Sequence, residues 1–199
     1  MDLVIRNARL AGGDDAPIAI GIEGGRFVAF ERNLAAEAPT YDAGGRLVCP
    51  GLIESHIHLD KARIIDRCPP QERATYSPVA GAVAAKKSMT VEDVYERARR
   101  TLEDCIRHGT TRMRTQLEVD PGIGMRGYDG VTPLIEEYKW AIDIEICAFP
   151  QEGLISYPGT DALLVEALKR GETPEPGPQS GRKGSMPASG KTTLLEGSS

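Results

Sequence analysis

The feature that most constrains the fold is the alternation of strand and helix patterns after residue 51. Between residues 91 and 108, apolar side chains recur at helical spacing, with Thr90 as N-cap and Gly109 as a stop signal. Strand patterns precede and follow this helix, and the predicted strands begin at Leu52, Thr111 and Ile142. Two further helices are predicted, from Thr132-Pro133 to about Trp140 and from Thr160 to about Gly171.

Repeated βα units require parallel strands joined by right-handed crossovers, which favours an open doubly wound sheet or a barrel. A barrel needs eight such units and usually about 250 residues. The 199-residue chain has three predicted units, which we assign to residues 51–171. The predicted fold class is therefore α/β.

Residues 1–50 are typical of a small antiparallel β module. Residues 3–10 alternate between apolar and polar side chains. Two further strand patterns flank Gly24-Gly25, and glycines can adopt the positive φ angles of a hairpin turn. We therefore predict a separate antiparallel module in front of the βα units.

Residues 172–199 differ in kind from the rest of the chain. They are rich in Pro, Gly and Ser, and we predict that this tail is disordered. Within it, Ser189–Thr193 is similar to the end of a phosphate-binding loop. Ser185 stands where such a loop has its opening glycine, and no strand pattern precedes the motif, which disfavours nucleotide binding.

The composition disfavours several classes of partner. The chain has a formal net charge of −5 and no basic cluster, whereas nucleic-acid binding depends on concentrated Lys and Arg. The N-terminal residues contain no long apolar run, so we predict neither a signal peptide nor a membrane span. We expect a cytoplasmic protein with a small-molecule partner and no membrane or nucleic-acid partner.

The four cysteines, Cys49, Cys68, Cys105 and Cys147, are scattered without a C-x-x-C motif. This spacing favours free buried thiols over disulfides or a zinc knuckle. Cys49 lies near a histidine pair in sequence, but a packed thiol is the favoured interpretation.

The candidate metal site is His56-Ile57-His58. On a strand, alternate side chains share a face, which places the two imidazoles about 6 to 7 Å apart on one side. Such pairs also occur by chance in ordinary strands, so the spacing alone is weak evidence for a metal ion. Asp60 either orients a ligand histidine by binding the ring nitrogen that does not face the metal, or forms an exposed ion pair with Lys61.

The segment from Ala62 to Met89 is long for a connection between a strand and a helix. In a barrel it would lie over the carboxyl ends of the strands, where active sites are built, so a substrate lid is one interpretation. The alternative is a plain surface insertion with one helical turn near Ala80–Ala85.

Three segments occur in order along the chain: Val48–Lys61 (VCPGLIESHIHLDK), Arg112–Asp120 (RMRTQLEVD) and Ile142–Pro158 (IDIEICAFPQEGLISYP). Together they resemble the N-terminal part of the cytosine deaminase group in the amidohydrolase superfamily, over about residues 1 to 171. The resemblance implies a partial (β/α)8 TIM barrel, limited to its first three βα units and preceded in the chain by a small β-sandwich-like module. It also implies an enzyme that forms homo-oligomers.

The activity implied by the resemblance is metal-dependent hydrolysis of a cytosine-like or related nitrogen heterocycle, with release of ammonia or an amine. His56 and His58 match the first two metal ligands, and a divalent ion, Fe²⁺ or Zn²⁺, would activate the attacking water. Gln151 matches the glutamine whose amide binds the polar edge of the ring. Lys61 resembles the residue in relatives that act on amino-substituted triazines. The identity of the substrate ring is therefore left undecided.

The chain also departs from the family pattern. Gln116 stands where relatives commonly have a histidine, and the family's remaining ligands and proton-transferring glutamate come from later strands. Here the three histidines are His56, His58 and His108, and we assign no catalytic acid or base. Our hypothesis is a truncated amidohydrolase without turnover of its own; the alternative is an inactive fragment or small non-enzymatic binding module.

Overall fold

The computed structural model describes residues 1–13, 16–35, 37–68 and 78–171. The chain divides into two compact units, Met1–Pro50 and Gly51–Ser199. The predicted disordered tail and the Ser189–Thr193 motif lie outside the described residues. Among the helices that are described, none is long and apolar enough to cross a membrane.

The first unit contains a five-stranded mixed sheet. Its strands are β1 (Leu3–Leu10), β2 (Ile18–Glu23), β3 (Arg26–Glu31), β4 (Thr40–Asp42) and β5 (Leu47–Val48). The order is β3-β2-β1-β4, and β5 also pairs with β1. Strands β1, β2 and β3 are antiparallel neighbours, and Gly24 and Gly25 adopt φ angles of 56° and 70° at the predicted hairpin turn.

The prediction of a purely antiparallel module is wrong for part of this unit. Strands β4 and β5 pair parallel with β1, because the chain crosses back after β3 and enters them in the direction of β1. The described residues form one sheet with small apolar clusters, centred on Val4, Ala19 and Leu34 and on Ala8, Ile20 and Ala43. Local alternation predicted the strands but carried no information about this long-range pairing.

The second unit contains three parallel strands in the order β6-β7-β8. The strands are β6 (Leu52–Ile57), β7 (Thr110–Glu118) and β8 (Asp143–Phe149). The helices are α1 (Pro78–Lys86), α2 (Val91–Arg107), α3 (Arg126–Tyr138) and α4 (Thr160–Gly171). The chain therefore has an α/β fold with mixed and parallel sheets.

The core of the second unit lies between this sheet and the helices. Strands β7 and β8 contribute Met113, Leu117, Ile144, Ile146 and Ala148, and the helices contribute residues such as Val94, Leu102, Val131, Leu134 and Leu164. Because side chains alternate along a strand, the residues directly next to these core positions point to the opposite face of the sheet. That opposite face carries Glu118 and Phe149, which close β7 and β8.

Helix α2 confirms the predicted helix and its cap, since the side chain of Thr90 accepts a hydrogen bond from the backbone N–H of Asp93 at 3.2 Å. The predicted start of α3 at Thr132-Pro133 is wrong, because the helix begins at Arg126 and Pro133 lies inside it. Tyr128 and Val131 are both buried in the core. Their packing extends the helix towards its N-terminus despite the proline.

All four cysteines are free thiols. Cys147 is buried and Cys68 and Cys105 are half-buried, whereas Cys49 is exposed. The expectation of a buried thiol is therefore wrong for Cys49, which follows the short edge strand β5.

Candidate active site

The candidate site lies where the three parallel strands of the second unit end. His56 and His58 are at the end of β6, Glu118 closes β7, and Gln151 follows β8 by two residues. The carboxyl ends of parallel strands meet at one edge of a sheet, so residues distant in sequence converge there.

The two histidines contact each other at this edge. Their ring centroids are 5.2 Å apart in an edge-on arrangement, and the His58 ring also lies 5.6 Å from the Phe149 ring. Nδ1 of His58 is 3.0 Å from the backbone carbonyl oxygen of Gln116. A carbonyl oxygen only accepts hydrogen bonds, so Nδ1 carries the proton and Nε2 keeps its lone pair.

Electrostatics keep His58 in this neutral form. Burial lowers the pKa of His58 below its ordinary value, and the positive charge of Lys61 lowers it further. A neutral imidazole with its other nitrogen bonded to a carbonyl oxygen is the arrangement found for histidine ligands of metals. The donor chemistry of His56 and His58 thus fits two ligands of a zinc or iron site, which in proteins commonly has three or four protein ligands.

A group of ionic side chains lies beside the histidines, which we call the lysine–carboxylate cluster: Lys61, Lys86, Glu118, Asp120 and Glu152. Nζ of Lys86 is 2.8 Å from Oε1 of Glu118, 2.6 Å from Oδ2 of Asp120 and 2.8 Å from Oε1 of Glu152. The side chain of Lys86 is only 2% exposed. An ammonium group with three donors therefore faces three carboxylates.

The three carboxylates have the spacing of a metal site, since their oxygen atoms lie within 4.8 Å of one another. Nζ of Lys86 already binds one oxygen of each. Burial favours the neutral amine, but hydrogen bonds to Asp120, Glu118 and Glu152 outweigh it and raise the pKa of Lys86. Lys86 is therefore the cation that contacts all three carboxylates and compensates most of their charge together with Lys61.

The pKa values of the two carboxyl groups that flank Val119 are shifted in opposite directions. Burial raises the pKa of Glu118, against the charge of Lys61. Burial would raise the pKa of Asp120 as well, but hydrogen bonds with Glu118 and Lys86 outweigh burial and lower this pKa below its ordinary value. Adjacent carboxyl groups with separated pKa values are characteristic of active sites.

Gln151 is held by the same cluster. Nζ of Lys61 donates to the side-chain oxygen Oε1 of Gln151 and, at 3.0 Å, to Oε2 of Glu118. The side chain of Lys61 is 9% exposed, so both bonds are shielded from water. The structure thus brings Gln151 to the edge of the sheet that carries His56 and His58.

Asp60 has a different environment from the exposed ion pair considered above. It is fully buried, and its Oδ2 accepts a hydrogen bond from the backbone N–H of Glu118 at 2.9 Å. Lys61 pairs with Glu118 instead. The ion-pair interpretation is therefore wrong, because the chain turns inward after His58 and carries Asp60 into the core.

The turn that follows His58 is fixed by two further side chains. Oγ1 of Thr115 accepts a hydrogen bond from the backbone N–H of Leu59 at 3.1 Å. Arg97 of α2 donates to the carbonyl oxygens of Asp60 and Ala62 at 2.9 and 2.6 Å. These bonds satisfy backbone groups of the turn and hold it against β7 and α2.

The sequence predicts the two histidines and Gln151 as site residues, and the structure places them at one edge of the sheet. It gave no prediction for Lys86, Glu118, Asp120 or Glu152, which lie beside them. The spacing Glu118-Val119-Asp120 at the end of a predicted strand is a signal of the same kind as His56-Ile57-His58. Lys86 gave no such signal, because it belongs to the Ala62–Met89 segment. Lys86 and Met89 are buried, so the described C-terminal end of this segment packs into the second unit, whereas residues 69–77 lie outside the described residues.

Comparisons with known proteins identify relatives with solved structures. The chain is 30% identical over 176 residues to the N-isopropylammelide isopropyl amidohydrolase of Pseudomonas sp. strain ADP, covering 85% of this chain and 43% of that enzyme. It is 32% identical to the N-isopropylammelide isopropylaminohydrolase structure from Burkholderia multivorans, with a TM-score of 0.73, covering 86% of this chain and 43% of that one.

A second solved structure, 5-methylcytosine deaminase from Klebsiella pneumoniae liganded with 5-fluorocytosine, is 29% identical with a TM-score of 0.74. The match covers 84% of this chain and 41% of that chain. No protein-family model matches the sequence. The chain thus spans about two fifths of the length of these relatives. These homologues place the chain in the amidohydrolase superfamily, where it corresponds to the N-terminal part of the enzymes that it matches.

Proposed function

We propose that this chain supplies the first two metal ligands and a ring-binding amide to an amidohydrolase. The reaction is hydrolytic removal of an exocyclic amino or alkylamino group from a cytosine-like or related nitrogen heterocycle. The observation that carries the proposal is the convergence of His56, His58 and Gln151 at the carboxyl ends of one parallel sheet. The three strands form the first part of a (β/α)8 barrel in this proposal.

The names of the relatives support the substrate class. Among them are an amidohydrolase of N-isopropylammelide and deaminases of 5-methylcytosine and adenine. Each name joins a hydrolase or deaminase to a nitrogen heterocycle. The shared chemistry is cleavage of a bond between a ring carbon and nitrogen.

The histidine pair would hold a divalent ion, Zn²⁺ or Fe²⁺, through His56 and the free Nε2 of His58. When bound, such an ion supplies Lewis-acid activation of a water molecule. The carbonyl oxygen of Gln116 fixes the His58 ring by accepting from Nδ1. Asp60 would help to position His58 indirectly, because it ties the turn after His58 to the backbone N–H of Glu118 at the end of β7.

Gln151 would recognise the heterocycle. A primary amide offers a donor and an acceptor side by side, which matches a ring edge that presents both. Lys61 orients this amide by donating to its oxygen atom. Phe149 contacts His58 and adds an aromatic face at the same edge.

Metal binding tests the first part of the proposal. We expect calorimetric titration of the 199-residue chain with Zn²⁺ to show one site, which His56→Ala and His58→Ala each abolish. His108→Ala is the matched control, because His108 caps the far end of α2 and its Nδ1 contacts the carbonyl oxygen of Asp104. Equal zinc binding by the wild type and by His58→Ala would contradict the assignment.

Ring binding tests the second part. In the presence of Zn²⁺, the chain is expected to bind cytosine, isocytosine or an aminotriazine, and Gln151→Ala should weaken that affinity about tenfold, the effect of one lost hydrogen bond. Ammonia release that His56→Ala abolishes would show that the chain completes the reaction itself. Failure of every ring to bind, with zinc bound, would refute the substrate class.

A further inference from the structure

Lys86 reaches the site from outside the strands. It is the last residue of α1, and its ammonium group contacts carboxylates of β7 and of the segment after β8. The side chains of Lys86, Glu118 and Asp120 are at most 2% exposed. The ion pairs of Lys86 with Glu118 and Asp120 are therefore shielded from water and screened little by salt.

Glu118 links two ammonium groups. Its Oε1 binds Lys86 at 2.8 Å, and its Oε2 binds Lys61 at 3.0 Å. Lys61 in turn donates to Oε1 of Gln151. A continuous series of charged and polar contacts thus runs from α1 to the predicted ring-binding amide.

We propose that Lys86 is a positioning residue for Gln151, acting through Glu118 and Lys61. The role of Gln151 in binding a ring rests on the proposed function above, whereas the positioning of its side chain does not. Lys86 itself touches no predicted metal ligand or ring-binding group in the described part of the chain.

The charges explain why Lys86 controls the position of Lys61. Three carboxylates face two ammonium groups in the lysine–carboxylate cluster, a formal balance of −1. Without the Lys86 ammonium, Lys61 would be the remaining cation of this buried group. The attraction of the unpaired carboxylates would then draw Lys61 away from Gln151.

The surroundings of Lys86 are shaped to its side chain. A Cβ atom added to Gly122 would lie 2.9 Å from Cε of Lys86 and 3.0 Å from Oδ1 of Asp120. Oδ1 of Asp120 accepts hydrogen bonds from the backbone N–H groups of Gly122 and Ile123 at 2.7 and 3.0 Å. The loop after β7 is thus folded around Asp120 and leaves space for the lysine.

The side-chain amide of Gln151 provides a direct readout. In the ¹⁵N-labelled 199-residue chain with no ligand added, its NH₂ signals are identified by their loss in Gln151→Met. Lys86→Met is expected to shift or broaden these signals and to leave the backbone signals of β2 and β3 unchanged. The matched control is Lys87→Met, because Lys87 is the next residue and is exposed.

A folded Lys86→Met chain with unchanged Gln151 signals would overturn the inference. If Lys86→Met does not fold, Glu118→Gln tests the same contacts with little change in volume. It should also shift the Gln151 signals, and unchanged signals in that variant would equally overturn the inference.

Ring and metal binding separate this inference from the proposed function. Lys86→Met should weaken ring binding about tenfold, as expected for one misplaced hydrogen bond, while the zinc affinity stays within twofold of wild type. A wild-type chain that binds no ring would refute the proposed function alone, because the Gln151 signals still report on Lys86. Unchanged ring affinity in a folded Lys86→Met chain would refute the inference alone.

Discussion

The histidine pair and the lysine–carboxylate cluster lie at the same edge of one sheet but differ in how their polar atoms are used. His56 is exposed and His58 half-buried, and Nε2 of His58 keeps its lone pair. In the cluster, Lys86 binds three carboxylates at 2.6 to 2.8 Å and is almost fully buried. One region offers ligand atoms, whereas the other satisfies its own charges.

This difference indicates a division of roles. A group that binds an external ion must keep lone pairs accessible, whereas a group that fixes geometry must have its partners built in. The acidic triad Glu118, Asp120 and Glu152 resembles a metal site by spacing alone. Lys86 makes it part of the framework instead.

The largest effect on folding stability is expected from removing the built-in cation. Lys86→Met leaves three carboxylates without their shared ammonium, which should lower the free energy of unfolding by about 3 to 5 kcal/mol. Lys87→Met should change it by less than about 0.5 kcal/mol, because Lys87 is exposed. Urea unfolding of both variants gives the comparison, and equal stability would show that the cluster is not stabilising.

A smaller effect is expected at the turn that carries His58. Thr115→Val removes the acceptor of the buried Leu59 N–H and should cost about 1 to 3 kcal/mol. Thr111→Val is the matched control, because Thr111 lies on the same strand and is exposed. Chemical denaturation measures both, and a stable Thr115→Val with normal zinc binding would show that this bond does not hold the histidine turn.

The smallest effect is expected at Asp93, on the outer side of the same turn. Hydrogen bonds from Arg67, helped by Arg97, lower the pKa of Asp93 to about 2 despite partial burial. Because the folded pKa lies below the unfolded value of about 3.9, this carboxylate stabilises the fold above about pH 4 and ceases to do so as the pH falls towards 2. In Asp93→Asn, the free energy of unfolding should therefore lose this contribution and the part of its pH dependence that comes from Asp93.

The size of this effect is limited by solvent. The Asp93 side chain is 23% exposed and Arg67 is 40% exposed, so we expect less than about 1 kcal/mol at neutral pH. Unfolding free energies of the wild type and Asp93→Asn at pH 5 and pH 2.5 test it. The difference between the two chains should shrink at the lower pH, and a constant difference would contradict the pKa assignment.

The sequence predicted features that depend on local pattern. The helix capped by Thr90 and the strands before and after it follow from apolar periodicity and end signals. The start of α3 was misplaced, because the packing of Tyr128 and Val131 outweighs the local preference of Thr132-Pro133. The parallel pairing of β4 also depends on the path of the chain between distant strands.

The site residues likewise divide into those that the local sequence predicts and those that depend on the folded structure. His56 and His58 can be proposed from the sequence because their spacing is local, and Gln151 because the surrounding segment resembles a family. Lys86 binds residues 32, 34 and 66 positions away in sequence. Such contacts depend on the folded sheet, and a lysine at the end of a short Ala-rich helix carries no local sign of them.

The most direct test of the account is long-range ¹H–¹⁵N NMR of the histidine rings during a Zn²⁺ titration of the 199-residue chain. Before zinc, His58 should show the tautomer with its proton on Nδ1. Zinc should then shift Nε2 of His58 and the ring nitrogens of His56, and leave His108 unchanged. A proton on Nε2 of His58, or zinc shifts confined to His108, would contradict the assignment of the histidine pair as the metal-binding half of the site.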